Sequence, residues 1–265
     1  MLSSFHAKIR LRSLALTTAL AMIVGACGGF PTVDNPVGEP LLPDLVPEPP
    51  VDLRVTVEDD TTMVRFSSTL VNVGEGDFVL RANRDLFNEW SVEQELWYSE
   101  SGGELISTEA DMAWGGDGHD HWHVRRVASY RLVPLDEDGT PIEDGLFRID
   151  SKIGFCFYDH TAEPGFEQGE AVYDVHECGD EDDENIRMGL SPGWADIYDF
   201  TLPGQSVDIT VLPDGHYRLW AEVDAESWFI EETRDNNVTW IDFELTTQDG
   251  RRFARLTEVG PEPGD

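Results

Sequence analysis

Apolar and polar residues alternate along much of the chain in short segments. Alternation with a period of two is typical of strands that bury one face. It marks residues 53–57, 63–73, 92–98, 121–135, 207–212, 216–223 and 238–245. Pro213-Asp214-Gly215 predicts a hairpin between two of these segments. Since no segment carries a long apolar repeat of 3.6 residues, the sequence predicts a mainly β, β-sandwich-like domain with long loops and little helix.

The N-terminal residues are typical of an export signal. Lys8, Arg10 and Arg12 precede an apolar run over residues 13–26, which is shorter than the ~20 residues that span a bilayer. Val24-Gly25-Ala26 before Cys27 resembles a bacterial lipobox, in which the chain is cut before the cysteine and the cysteine is lipidated. The alternative is an ordinary signal peptide with an incidental cysteine. We therefore expect a signal peptide over 1–26 and a protein that is anchored to the cell envelope by lipid, or secreted.

Composition divides the rest of the chain. A stretch rich in Pro and Gly predicts a tether over 27–42, followed by one domain over 43–250 and a C-terminal tail over 251–265. The sequence carries no signal for an oligomeric state.

The charge is strongly negative. Eighteen Lys and Arg against 53 Asp and Glu give −35, and loss of the three N-terminal cations would take this to −38. A nucleic-acid binder needs a basic surface, so that class is excluded. A surface of this charge attracts cationic primary amines and lysine-rich proteins, although solubility or a salty medium explains it equally well.

Three histidines at alternate positions form the first chemical motif, His119-Asp120-His121-Trp122-His123. On a flat strand the outer two Cβ atoms would lie ~13 Å apart, too far to share one ion. We therefore expect the backbone to curl, which Gly115, Gly116 and Gly118 permit. Three neutral imidazoles suit Cu(II), Zn(II) or Ni(II), and copper binds most tightly. The alternative is a solvated turn.

Two further motifs say little when taken singly. Lys152 stands four residues before Cys156 in Ser-Lys-Ile-Gly-Phe-Cys, and Tyr198 ends Gly-Leu-Ser-Pro-Gly-Trp-Ala-Asp-Ile-Tyr. Alone, the lysine would be a surface residue and the tyrosine a core residue. With Cys27 assigned to lipidation, Cys156 and Cys178 remain, and in an exported protein such a pair favours a disulfide over a metal clip.

Together and in this order, the three motifs resemble the catalytic domain of the lysyl oxidase family, the copper amine oxidases that deaminate lysine side chains. The resemblance implies that His119, His121 and His123 hold Cu(II). It also implies that Lys152 and Tyr198 join as the lysine tyrosylquinone cofactor and act in catalysis. The Cys156–Cys178 pairing is similar to one of the family's disulfides.

Both flanks extend the resemblance, which covers about residues 43–245. A calcium site of some members is matched by residues near each end of the domain, namely Asp44, Leu45, Glu231, Asn236 and Asn237. Two positions depart from the family. Thr233 replaces an Asp of that site, and Ser129 stands where animal enzymes have a His.

The resemblance implies an enzyme that oxidatively deaminates peptidyl lysine or small primary amines to aldehydes, with release of hydrogen peroxide and ammonia. Two alternatives stay open. One is a non-catalytic copper-binding surface lipoprotein, and the other is a β-sandwich envelope or adhesion module.

Overall fold

A computed structural model describes residues 36–115, 120–143, 149–166 and 168–261, and the predicted signal peptide and Cys27 lie outside them. Strands make up 53% and helix 2% of the described residues, which confirms the mainly β class. The helical part is a 3-10 turn at Val175–Cys178. The described segments contain no helix long and apolar enough to cross a membrane.

The strands follow one another along the chain as β1 (Pro40–Leu41), β2 (Leu45–Pro47), β3 (Val51–Glu58), β4 (Thr61–Asn72), β5 (Phe78–Arg84), β6 (Trp90–Tyr98), β7 (Gly103–Ser107), β8 (Met112–Trp114), β9 (Trp122–Pro134), β10 (Ile149–Phe155), β11 (Thr161–Ala162), β12 (Asn185–Leu190), β13 (Trp194–Tyr198), β14 (Ser206–Asp208), β15 (Gly215–Val223), β16 (Val238–Gln248) and β17 (Arg251–Val259).

The strands form three antiparallel sheets. The first runs β1-β6-β5-β12, with β7 beside β6. The second runs β10-β9-β15-β16-β17, with β8 beside β9. The third runs β11-β13-β4-β14, with β2 and β3 also paired to β4. The histidine and lysine motifs therefore belong to the second sheet, and the tyrosine motif belongs to the third.

Aromatic side chains join the sheets into one core. The rings of Phe66 on β4 and Tyr130 on β9 lie 4.8 Å apart, so the second and third sheets pack together there. Phe78 on β5 lies 4.8 Å from Phe157, which follows β10. Burial of these rings removes a large apolar area from water and holds the tyrosine strand against the histidine strand.

The predicted hairpin over residues 213–215 is wrong. Strand β14 pairs with β4, whereas β15 pairs with β9 and β16. The alternation that suggested one strand over 207–212 ends early, because the Leu212 N–H turns back to the carbonyl of Ile209. The chain then crosses from one sheet to another.

Residues 251–259, which the sequence assigns to a tail, form β17. This strand pairs with β16 from Arg251 opposite Gln248 to Val259 opposite Ile241.

Candidate functional site

The histidine motif meets the second sheet where β9 begins. His123 lies opposite Ala113 of β8, and the rings of His121 and His123 are 4.8 Å apart. His119 lies outside the described residues. Among the residues that are described, no group of three His, Cys, Asp or Glu is arranged to hold a metal. Two neighbouring imidazoles are nonetheless the start of the donor set that copper prefers.

Tyr198 lies beside these histidines although 75 positions separate it from His123. Its ring centroid is 6.1 Å from that of His123 and 4.2 Å from that of Phe155. The hydroxyl accepts a hydrogen bond of 2.8 Å from the Cys156 N–H. Burial raises the pKa of Tyr198 well above its ordinary value, so without a metal the phenol stays protonated.

Strand β10 carries the lysine motif along the edge of β9. The backbone of Lys152 is paired with that of Ser129, and the Lys152 side chain lies outside the described part of the chain. Gly154 lies so close to β9 that a Cβ there would be 2.8 Å from the Val124 carbonyl oxygen and 3.2 Å from the His123 Cβ. Glycine at this position therefore allows the lysine strand to approach the histidine strand.

Asp196 is a buried carboxylate that the sequence motifs did not assign. It is fully buried, and neither carboxyl oxygen has a hydrogen-bond partner among the described residues. Burial raises its pKa well above the ordinary range. Since residues two apart on a strand share a face, Asp196 and Tyr198 point to the same side of β13. A buried acid without a donor is costly, which makes it a candidate for function.

The disulfide and one acid fix the loops around Tyr198. Cys156 and Cys178 are joined, with their Cα atoms 5.8 Å apart, which confirms the predicted pair. Asp159 accepts hydrogen bonds from the amide and hydroxyl of Ser191 at 2.7 and 2.8 Å. It thereby fixes the turn that leads into β13. No sequence motif points to Asp159, because its hydrogen-bond partners Val172, Tyr173 and Ser191 lie 13, 14 and 32 positions away.

A second cluster unites the two ends of the domain. Asp44 accepts a hydrogen bond of 2.9 Å from the amide of Asn236, 192 positions away. Glu231 accepts from the Leu45 N–H at 3.2 Å and from the Asn237 amide at 2.7 Å. The structure thus places all five residues of the predicted calcium site next to one another.

This cluster contains oxygens that lack donors. Asp44 Oδ1, Asn236 Oδ1 and Asn237 Oδ1 are buried without a hydrogen-bond partner among the described residues. Burial raises the pKa of Asp44 and brings that of Glu231 to about 7. Carboxylate and amide oxygens are what calcium takes as ligands, so the donor set fits a hard cation.

One positive charge already lies at this cluster. Arg234 Nη1 is 2.8 Å from Asp224 Oδ2 and 3.5 Å from Glu231 Oε1. With Thr233 where the family has an acid, the cluster carries fewer negative charges for a cation. Affinity for calcium is lower when fewer ligands carry a negative charge, so we expect weak binding.

Comparison with known proteins identifies one family. The model described as lysyl oxidase matches residues 106–253. Lysyl oxidase homolog 2 of Rattus norvegicus and that of Mus musculus are each 25% identical to this chain over 176 residues, which is 66% of it. The matched region spans 17% of the length of those relatives.

Proposed function

Because this chain belongs to the lysyl oxidase family, we propose that it is a copper-dependent amine oxidase. It would convert primary amines to aldehydes and release hydrogen peroxide and ammonia. The observation that carries the proposal is the placement of Tyr198 beside His123, at 6.1 Å between ring centroids. A core tyrosine needs no such neighbour, whereas a tyrosine that copper must oxidise does.

The second sheet would hold the metal, and the cofactor would join the second sheet to the third. His121 and His123, with His119, would hold copper at the start of β9, and Lys152 and Tyr198 would form lysine tyrosylquinone. When present, copper supplies the oxidation that builds this cofactor, and the cofactor supplies the carbonyl that accepts the amine.

The protein side chains around Tyr198 orient it and exclude water. Phe155 covers the ring, and the Cys156 N–H holds the hydroxyl. We assign Asp196 as the group that takes the proton from the α-carbon of the amine. It is buried on the Tyr198 face of β13 with both oxygens available. A carboxylate whose pKa is raised by burial is a stronger base than an exposed one.

In this proposal calcium stabilises the fold and takes no part in the reaction. Asp44, Leu45, Glu231, Asn236 and Asn237 would bind it and join the start of the domain to the loop before β16. Melting of the purified domain with excess calcium and with excess magnesium tests this. We expect calcium to raise Tm and Glu231→Gln to abolish the rise. An equal rise with magnesium or in the variant would remove calcium from the proposal.

The cell-envelope location rests on the N-terminal sequence. We propose that the chain is exported and is held to a membrane by lipid at Cys27, with its acidic surface free to attract cationic substrates. Labelling with a radioactive fatty acid should mark the full chain and not a Cys27→Ser variant. Label in the variant would contradict lipidation at this residue.

Peptide mass spectrometry tests the oxidase directly. The domain from residue 27, with Cys27→Ser, is expressed with copper in an oxidising compartment and digested. We expect a covalent peptide pair that joins Lys152 to Tyr198, absent in a Tyr198→Phe control, together with peroxide release from an added amine. If a copper-loaded protein gives both peptides unmodified, the oxidase proposal fails, and the protein is a copper-binding lipoprotein.

The role of Asp196 has its own readout. Asp196→Asn keeps the size of the side chain and removes its basicity. We expect the Lys152–Tyr198 peptide pair to form while turnover of the amine falls by at least a hundredfold. Turnover close to that of the wild type would assign the proton transfer to another group.

A further inference from the structure

Two large apolar side chains are exposed side by side at the tip of the β5–β6 hairpin. Leu86 is 97% exposed and Phe87 is 83% exposed. The turn itself is well built, because Asp85 Oδ1 accepts hydrogen bonds from the Phe87 and Glu89 amides. The backbone of the turn is therefore fixed, and both side chains project from it into solvent. Contiguous exposed apolar groups of this kind mark interaction sites.

The tip continues into a cluster of tryptophans. The Trp90 and Trp122 rings lie 4.8 Å apart, and the Trp114 and Trp122 rings lie 5.4 Å apart. A cavity of about 640 Å³ opens over them. Trp122 itself is buried. We call Leu86, Phe87, Trp90 and Trp114 together the tryptophan surface.

An exposed acidic run borders this surface. Residues 180–184 (Asp-Glu-Asp-Asp-Glu) are all exposed. Hydrogen bonds hold both ends of this run beside the tryptophan surface. The Trp122 indole donates to the Asp180 carbonyl at 3.0 Å. The Arg84 N–H donates to the Glu184 carbonyl at 2.8 Å.

Local charges add to this acidic border. Glu89 and Asp111 line the cavity. Two cations also lie there, and both are engaged, with Arg84 stacked 5.3 Å over Trp90 and Arg125 paired to Asp111 at 3.2 Å. The acids outnumber the cations, so the potential over the tryptophan surface is negative.

We propose that the tryptophan surface docks a lysine-rich polypeptide segment that also carries apolar side chains. The apolar tip and the cavity fit the apolar residues, and the acidic run attracts the ammonium groups from a distance. An anionic membrane surface is disfavoured, because the same acidic run repels its headgroups.

The docking surface and the proposed site meet at the start of β9, on opposite faces of the strand. Trp122 precedes His123 on β9, so the two side chains leave the strand on opposite faces. A segment bound over Trp114 lies against β8, which pairs with this part of β9. The inference rests on the proposed function only for the claim that the docked segment is then oxidised.

Binding and turnover separate the two claims. The domain from residue 27, with Cys27→Ser, is titrated with a fluorescent 12-residue peptide of alternating Lys and Leu. The test variant is Leu86→Ser with Phe87→Ser. Its control is Val57→Ser with Val211→Ser, which removes side chains that are 70% and 78% exposed elsewhere.

We expect the test variant to weaken peptide binding about tenfold and to raise the KM for the peptide by the same factor. The KM for n-butylamine should not change. The control should stay within twofold of the wild type. Peptide binding that the test variant leaves unchanged overturns the inference, and loss of binding to phosphatidylglycerol vesicles instead would assign the tip to a membrane. If no amine is oxidised but the variant loses peptide binding, docking stands and the oxidase proposal fails.

Discussion

Replacement of Gly154 by alanine tests the closest approach between the lysine strand and the histidine strand. The new Cβ would lie 2.8 Å from the Val124 carbonyl oxygen and 3.2 Å from the His123 Cβ, where ordinary contact begins at 3.4 Å. The two pairs must therefore separate by about 0.6 Å (3.4 − 2.8) and 0.2 Å (3.4 − 3.2). Because Val124 O is a backbone atom in a paired strand, no rotation of a side chain relieves the overlap.

Such overpacking costs about 1–3 kcal/mol. At roughly 2–4 °C per kcal/mol for a domain of this size, Tm should fall by about 2–12 °C. His123 shifts with the strand, so copper affinity should fall by about tenfold as well. Thermal melts of the metal-free domain and competition for copper with a chelator measure the two effects.

Gly215→Ala is the matched control, because its new Cβ meets only Tyr217 Cε2 at 3.8 Å. We expect its Tm to stay within about 2 °C of the wild type, which corresponds to less than 1 kcal/mol. If Gly154→Ala melts and binds copper like this control, β9 and β10 do not approach as closely as described, and the coupling of Gly154 to His123 is refuted.

Three further predictions concern stability. Cys156→Ser with Cys178→Ser should lower the free energy of unfolding by about 3 kcal/mol, given a 22-residue loop, and reductant should then have no further effect on Tm. Burial raises the pKa of Asp77, so ionisation of this carboxyl lowers the free energy of unfolding as the pH rises above about 4. In urea titrations, Asp77→Asn should therefore be more stable than the wild type at pH 7 and not at pH 3. In the same assay, Arg218→Lys should lower the free energy of unfolding by about 1–3 kcal/mol, because lysine cannot make both the 2.7 Å and the 2.8 Å hydrogen bonds to Asp242. An unchanged urea midpoint would contradict this.

The longer strands were predictable because each buries one face over many residues. The alternation over 121–135, for example, appears in the structure as β9, Trp122–Pro134. Short strands such as β11 have only two residues and leave no periodic signal. The hairpin over 213–215 failed because pairing partners depend on distant segments.

Some residues of the candidate site were predictable from the sequence, and others were not. Its histidines, lysine and tyrosine carry motifs, and the resemblance supplied their roles. Asp196 and Gly154 stand inside two of these motifs, but the motifs give them no role, because their importance lies in what surrounds them after folding. An aspartate becomes exceptional only when burial removes its donors, and a glycine only when a second strand approaches it.

The hydrogen bond from Cys156 to Tyr198 links the tyrosine to the disulfide. The amide that holds the tyrosine hydroxyl belongs to the same residue that the disulfide ties to Cys178. Oxidation of the thiols therefore restrains the phenol whether or not a metal is bound. A chain that meets copper while still reduced has a less restrained tyrosine, so we expect correct assembly to begin only after export, where thiols are oxidised.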